Sequence, residues 1–375
     1  MRTLVDSTAA RLLAALVLGC GVSACTTPNV YYNPAKSHHT PTGFRNNDIG
    51  TIDKTFSELM RWQFERQQQG LPKPPAQPTP VQTPKLQAIH SYSASQAPAI
   101  TWIGHATMLV QSGGLNVLTD PIFSERASPV SFLGPRRAQP PGLLLENLPP
   151  IDVVLISHNH YDHLDQASVR ALAGRAQDAG RPTRFLVPLG LKRWFADLGI
   201  DNVVELDWWD SHVVGSVTFN LTPVQHWSAR SFGDRSQTLW GGFAVLSPDL
   251  HWYFSGDTGY SSDFAATRAR YATSQAAGAG GGFDLALIPL GAYEPRWFLK
   301  EQHIDPPEAV QIHLDLGAQR SVGLHWGTFA ISDESLDQPP QDLALAARAK
   351  GLKDGEFTVM AIGETRFLPS RSKPQ

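Results

Sequence analysis

The sequence predicts an α/β protein in which packed β-sheets carry helices on their outer faces. From about residue 98 onward, short apolar segments are separated by Gly, Pro and Asn, which is typical of β-strands joined by turns. Fewer segments show helical spacing, and they are inserted between runs of strands. This order of elements favours layered sheets with helices outside.

Ten segments are predicted strands: residues 99–111, 114–120, 152–158, 184–190, 202–209, 216–226, 241–247, 251–257, 283–291 and 320–327. Three segments are predicted helices: residues 166–180, 191–199 and 306–318. Asp165 is the expected N-cap of the first helix, while Gly199 and Gly317 are expected to end the other two.

The first 97 residues differ in composition from the body that follows. We predict a signal peptide over residues 1–24, a tether with a short helix and a Pro-rich linker over 25–97, and a folded domain, called the body below, over 98–375. Apolar residues recur at helical spacing over 51–69, and this helix is expected to pack on the body rather than on lipid. Six prolines between residues 72 and 84 exclude a helix there.

The extreme N-terminus is typical of an exported protein. Arg2 and Arg11 flank a short apolar run, and small residues then precede Cys25. This pattern resembles the bacterial lipoprotein cleavage box, in which the cysteine is acylated and becomes the mature N-terminus. Cys20 is a second candidate, and a plain secretory signal is the alternative. The expected location is therefore the periplasmic face of a bacterial cell envelope, with the outer membrane favoured.

The charge balance argues against a nucleic-acid partner. The 375-residue chain carries 31 basic and 34 acidic residues, for a net charge of −3. A basic face that would attract a phosphate backbone is not indicated.

Metal-binding residue types follow four of the predicted strands. His158, His226, Asp257 and His325 each stand where an apolar segment ends. Open sheets place ligand-binding side chains beyond their strand ends, where the backbone holds them rigidly. We therefore expect these four side chains to converge.

The hexapeptide from His158 to His163 adds His160, Asp162 and His163. An ordinary polar loop is the alternative, but so many donors behind an apolar strand are costly unless something pairs with them. Seven donors suit two metal ions about 3.5–4 Å apart that share one carboxylate. Histidine with carboxylate favours zinc, with iron or manganese as alternatives.

The remaining histidines receive no predicted role, except that His105 could support the metal ligands or be merely structural. Those without a role are His38, His39, His90, His212, His251 and His313.

Several longer motifs resemble one known family. The HxHxDH hexapeptide, followed by a distant His, Asp and His, has the ligand order of the metallo-β-lactamase fold superfamily. The segments HWSARS and GAYEPRW resemble, more narrowly, the N-acylphosphatidylethanolamine-hydrolysing phospholipase D family and its bacterial relatives. The resemblance covers about residues 98–368 and implies an αββα sandwich of two packed mixed sheets.

The resemblance also implies roles for individual residues. One zinc would be held by His158, His160 and His226, the other by Asp162, His163 and His325, with Asp257 bridging both. Asp120 would support the metal ligands, and His303 would lie near the substrate, with Gln302 and Tyr161 as weaker candidates for the same pocket. The residues assigned to catalysis are Asp162, Asp257 and His303.

The implied reaction is attack of a metal-bound hydroxide on a membrane phospholipid, giving N-acylethanolamine and phosphatidic acid. A metal-dependent lactonase or general phosphodiesterase is one alternative, because fold does not fix substrate. A non-catalytic metal- or lipid-binding envelope lipoprotein is the other. The family forms dimers, so a homodimer is expected, to which residues 51–69 could contribute.

Overall fold

The computed structural model describes residues 28–231, 233–275 and 282–371. The predicted signal peptide and both cysteines lie outside the described residues. Among those described, no helix is long and apolar enough to cross a membrane.

Two seven-stranded sheets form the body. The first has the order β16-β3-β4-β5-β6-β7-β8 and the second the order β15-β14-β13-β12-β11-β10-β9. The strands of the first sheet are β3 (Ala99–Gly104), β4 (Thr107–Ser112), β5 (Leu115–Thr119), β6 (Val153–Leu155), β7 (Arg184–Pro188), β8 (Val203–Leu206) and β16 (Thr365–Phe367). Those of the second are β9 (Ser211–Val214), β10 (Val217–Thr222), β11 (Gly242–Leu246), β12 (His251–Phe254), β13 (Leu285–Pro289), β14 (Ser321–Leu324) and β15 (Phe357–Thr358).

A separate short hairpin near the N-terminus consists of β1 (His39–Thr40) and β2 (Gly43–Phe44). The described helices are α1 (Phe56–Gln69), α2 (Leu86–His90), α3 (Gln166–Asp178), α4 (Lys192–Ala196), α5 (Asp263–Gln275), α6 (Arg296–Leu299), α7 (Pro306–Leu316) and α8 (Gln338–Ala349).

Both faces of the first sheet are buried, which explains its continuously apolar strands. On β4, Met108 and Val110 join the cluster between the two sheets, whereas Leu109 joins a cluster that includes Val169 of α3 and Phe195 of α4. Helices α5, α7 and α8 contribute to the cluster around the second sheet. The layer order is therefore helix, sheet, sheet, helix, and the predicted αββα fold is confirmed.

Most predicted elements are present, but several differ in extent and some elements were not predicted. Residues 99–111 form two strands rather than one, because the chain turns at His105, which has a positive φ of 53°. The helix predicted over 51–69 begins at Phe56, where Thr55 and Glu58 form a capping box. Helices α2, α5, α6 and α8 were not predicted from the sequence.

The predicted caps are largely as expected. The Asp165 side chain accepts a hydrogen bond from the Ser168 N–H, and Gly317 ends α7 in the left-handed conformation. Helix α4 is shorter than predicted, and Gly199 lies beyond its C-cap, Asp197, with a φ of 75°.

Residues 28–50 lie against the body, whereas a tether was expected. The Tyr31 hydroxyl donates to the Glu205 carboxylate at 2.8 Å, and Lys36, His38 and His39 all contact the Asp207 carboxylate within 2.9 Å. The Pro-rich segment contains no helix, as predicted, but it also contacts the body through Thr79 and Val81. The described N-terminal segment is thus part of the folded unit.

Candidate metal centre

The predicted donors lie together where strands of both sheets end. His158 follows β6 of the first sheet, while His226, Asp257 and His325 follow β10, β12 and β14 of the second. All four side chains are buried, with relative exposures of 3% or less. The centre therefore lies between the two sheets.

Asp120, at the end of β5, holds the donor loop from behind. Its carboxylate accepts hydrogen bonds from the Ser157 N–H at 2.7 Å and from the Ser157 hydroxyl at 2.5 Å. It also contacts His163 Nδ1 at 2.7 Å, which leaves Nε2 of that ring directed at the centre. An acceptor behind an imidazole fixes its orientation and raises its basicity as a ligand.

Arg230 holds the same loop from its other side. Its Nη1 donates to the Asn159 carbonyl at 2.9 Å and to the Leu164 carbonyl at 2.8 Å. The guanidinium carbon also lies 4.1 Å from the centre of the Tyr161 ring, whose hydroxyl donates to the Arg230 carbonyl. The protein's own residues thus hold the loop from both sides.

Three imidazoles form the first group of the centre. His158 Nε2 lies 2.8 Å from His160 Nδ1, and His226 Nε2 lies 3.3 Å from the same atom. Burial is the largest cause of a lowered pKa in all three: well below the ordinary value at His158, about 4 at His160 and about 3 at His226. Neutral imidazoles present the unprotonated nitrogens that metal ions bind.

The second group mixes carboxylates with imidazoles. Asp257 Oδ2 lies 3.0 Å from His163 Nε2 and 3.2 Å from His325 Nε2, and Asp162 Oδ2 lies 3.4 Å from each of these nitrogens. Burial alone would raise the pKa of Asp162 and Asp257, but the imidazoles hold both pKa values well below the ordinary value. Burial would lower the pKa of His325, yet the two carboxylates raise it to about 9.

The donor chemistry fits divalent metal ions. Buried atoms without a hydrogen-bond partner in the described chain include Nε2 of His160, His163 and His325 and Oδ1 of Asp257. Such atoms are costly to bury unless something binds them. A bound cation would satisfy them and would balance the charge of the two carboxylates.

The predicted substrate residues lie at the edge of the centre. His303 Nδ1 lies 4.0 Å from Asp257 Oδ2 and has no hydrogen-bond partner in the described chain. The Gln302 carbonyl lies 2.9 Å from His226 Nδ1, so its backbone supports a predicted ligand. The Gln302 and Tyr161 side chains line a cavity of about 630 Å³.

This cavity is bounded by α1 and by aromatic side chains. Phe56, Leu59 and Trp62 of α1 line it, together with Trp227 and Phe298. A second cavity, of about 560 Å³, lies beside it, because Tyr161 and Arg230 line both. Among the other aromatic residues, Trp208 is instead buried between the sheets.

Two further residues support the predicted ligands: His105, whose role the sequence left open between support and structure, and Asn46, which the sequence did not assign. His105 Nε2 lies 2.9 Å from Asp162 Oδ2, and its carbonyl accepts from the His325 N–H at 3.1 Å. The Asn46 side chain donates to the His226 carbonyl at 3.0 Å and accepts from the His226 N–H at 2.9 Å. The strand turn hinted at His105, but no sequence pattern links Asn46 with a residue 180 positions away.

Known proteins are similar to this chain in sequence and in fold. The family profile described as "Beta-lactamase superfamily domain" matches residues 115–326. The N-acyl-phosphatidylethanolamine-hydrolyzing phospholipase D 1 of Caenorhabditis elegans is 38% identical over 76% of this chain and 79% of its own. The mitochondrial enzyme of the same description from Saccharomyces cerevisiae is 36% identical over 71% of this chain and 56% of its own.

Solved structures agree with the fold. A possible metal-dependent hydrolase from Veillonella parvula superimposes with a TM-score of 0.56, covering 73% of this chain and all of the other, at 16% identity. At that identity the likeness concerns the fold alone.

Proposed function

The chain belongs to the metallo-β-lactamase fold superfamily and, within it, to the N-acylphosphatidylethanolamine-hydrolysing phospholipase D family, and from this premise we propose that it is a lipid phosphodiesterase. The proposed reaction cleaves N-acylphosphatidylethanolamine, or a related lipid, to N-acylethanolamine and phosphatidic acid. The observation that carries the proposal is a cluster of seven histidine and aspartate side chains beside a cavity lined by apolar and aromatic side chains.

The proposed ligands fall into two sets with one shared residue. His158, His160 and His226 would hold one ion, Asp162, His163 and His325 the other, and Asp257 would contact both. When bound, two zinc ions would supply Lewis-acid chemistry, neutralising charge that develops on a phosphoryl oxygen and making water more acidic. Iron or manganese could serve the same donor set.

The protein's own residues position the substrate. The unpartnered Nδ1 of His303, when it carries the ring proton, can donate a hydrogen bond to a phosphate oxygen held beside Asp257. Asp120 and Arg230 keep the donor loop in place throughout the reaction, so little reorganisation is required. The apolar wall formed by Phe56, Leu59 and Phe298 can receive an acyl chain and exclude water.

We also propose that the protein is lipid-anchored at the periplasmic face of a bacterial envelope, through an acylated Cys25. This proposal rests on the sequence alone. An anchored enzyme would meet its substrate in the bilayer that holds it. A homodimer is proposed on the family resemblance, and gel filtration with light scattering would test it.

Elemental analysis and lipid turnover test the function together. We expect about two metal ions per chain, the number that the donor set suits, and release of N-acylethanolamine from mixed micelles. Asp257→Asn should lose turnover and at least part of the metal, because it removes the shared ligand. Metal without lipid turnover, but with hydrolysis of a lactone or a bis-aryl phosphodiester, would favour the other enzyme functions. Metal without any turnover would favour a binding protein.

A further inference from the structure

Helix α1 exposes an apolar stripe that no other described segment covers. Phe56, Met60 and Phe64 stand at i, i+4 and i+8 and are 74%, 50% and 60% exposed. Residues at this spacing share one face of a helix. Contiguous exposed apolar surface of this kind marks interaction sites rather than ordinary solvent-facing helix.

The opposite face of α1 is fastened to the body. Trp62 is buried, its ring centre lies 4.9 Å from that of Phe298, and its Nε1 donates to the Asp333 carboxylate at 2.9 Å. Arg66 contacts the same carboxylate at 3.4 Å. The helix is therefore held in one orientation, with its apolar stripe directed away from the protein.

A second apolar projection lies in the loop after β5. Phe132 and Leu133 are adjacent and are 79% and 67% exposed. The two ends of the loop meet at an antiparallel backbone β-bridge between Arg126 and Arg136. The Arg126 side chain also donates from Nη1 to the Gly134 carbonyl. Two large apolar side chains are thus presented at the tip of a structured loop.

Both features border the cavities at the metal centre. Phe56 of α1 lines the first cavity, and Ser131, next to Phe132, lines the second. Tyr161 and Arg230 line both, so the two cavities meet there. Since Tyr161 immediately precedes Asp162, the apolar features flank the approach to the predicted ligands.

We propose that the α1 stripe and the tip at Phe132 and Leu133 insert into the surface of a phospholipid bilayer and place the cavity mouth against it. This inference rests on the proposed function, because a lipid substrate must pass from the bilayer to the centre. Interfacial helices bury their apolar face in the headgroup boundary, with affinity that scales with the apolar area buried.

Charge has little part in this docking. On α1, Arg61 forms a salt bridge with Glu65 at 2.7 Å, and Arg66 forms one with Asp333 of the body at 3.4 Å. The helix itself carries two acidic and two basic side chains. A neutral apolar surface with paired charges suits a zwitterionic bilayer, and binding should depend only weakly on salt.

The start of the described chain supports a bilayer as the occupant. Phe44 of the N-terminal hairpin donates its N–H to the Ser236 carbonyl, next to Arg235, which lines the first cavity. Pro28 is three residues from Cys25. An extended segment of that length spans about 10 Å, so an acyl anchor at Cys25 would keep the described body close to the membrane.

The test uses residues 28–371, which contain both sheets and every described helix, so that no lipid anchor contributes. Sedimentation with vesicles of phosphatidylcholine and phosphatidylethanolamine, free of N-acylated lipid, measures docking independently of turnover. We expect Met60→Ser with Phe64→Ser to weaken vesicle binding about tenfold or more, because two large apolar side chains leave the interface. Neither residue lines a cavity, so hydrolysis of a dispersed short-chain substrate should be retained. Leu345→Ser is the matched control, since Leu345 is 65% exposed on α8, away from both cavities.

Each outcome separates the docking surface from the proposed function. Stripe-dependent vesicle binding without turnover of N-acylated lipid would support docking and overturn the proposed substrate. Turnover in micelles without stripe-dependent vesicle binding would overturn docking and leave the function standing. A dimer in light scattering that the double substitution dissociates, without vesicle binding, would assign the stripe to a second copy of the chain.

Discussion

Replacing Asn46 by alanine should weaken metal binding at His226, although Asn46 lies outside the donor loop of residues 158–163. The substitution removes both hydrogen bonds to the His226 backbone and a third, at 3.2 Å, from Trp240 Nε1. Each buried backbone group left without a partner costs about 1–3 kcal/mol, so the two groups of His226 cost about 2–6 kcal/mol. Part of this cost lowers the free energy of unfolding. The rest weakens metal binding, because the metal must restore the orientation of His226 when it binds.

We expect zinc at the three-imidazole position to bind about 10–100-fold more weakly in Asn46→Ala, as is usual when a residue that orients a ligand is lost. Competition with a chromophoric chelator measures this affinity, and thermal unfolding with and without zinc separates it from stability. The control is Asn47→Ala, which removes a 2.8 Å hydrogen bond to Asp263 in the same segment without touching His226. If zinc affinity is unchanged and stability falls equally with and without zinc, Asn46 does not orient His226 for metal binding.

Three further predictions concern the centre and its frame. His105→Ala should weaken metal binding about tenfold or more on the Asp162 side, because the contact that orients this carboxylate is lost; an unchanged chelator titration would contradict this. Burial would raise the pKa of Asp207, but hydrogen bonds from a histidine and a lysine, with neighbouring charges, hold it well below the ordinary value. The Asp207 carboxylate therefore stabilises the folded state fully above about pH 4, the ordinary carboxyl range, and this stabilisation is lost as the pH falls through the lower folded pKa. In Asp207→Asn, the free energy of unfolding measured in urea should consequently depend less on pH in the acid range. Gly259→Ala places a methyl carbon 2.2 Å from a backbone carbonyl oxygen and should lower the free energy of unfolding by about 2–4 kcal/mol. Gly233→Ala places its methyl carbon in open space and should leave the free energy of unfolding nearly unchanged.

The convergence of the candidate donors could be predicted because their signal in the sequence is local. His158 to His163 stand in one short loop, and each distant donor follows a recognisable apolar strand. Side chains that follow the ends of neighbouring strands lie close together at one edge of the sheets. The fold class followed from the same strand pattern.

The elements that were missed depend on packing rather than pattern. Helix α5 contains buried polar residues such as Thr267 and Gln275 among small ones, so its apolar periodicity is weak. The segment around Asn46 lacks periodicity altogether, and only its contacts with His226 reveal that it belongs to the centre. Long-range side-chain to backbone hydrogen bonds leave no spacing in the sequence to recognise.

Because the candidate donors are divided between the two sheets, they become available at different times during synthesis of the chain. Four of the seven donors precede residue 164, and the last is His325. Strand β16 then completes the edge of the first sheet, where Thr365 lies opposite Thr101. A chain synthesised from its N-terminus can therefore offer only a partial donor set until its final strands are available. If the protein binds two ions as proposed, stable capture of both would come only at the end of folding. The metal supply of the compartment in which the chain finishes folding would then decide which ions the protein acquires.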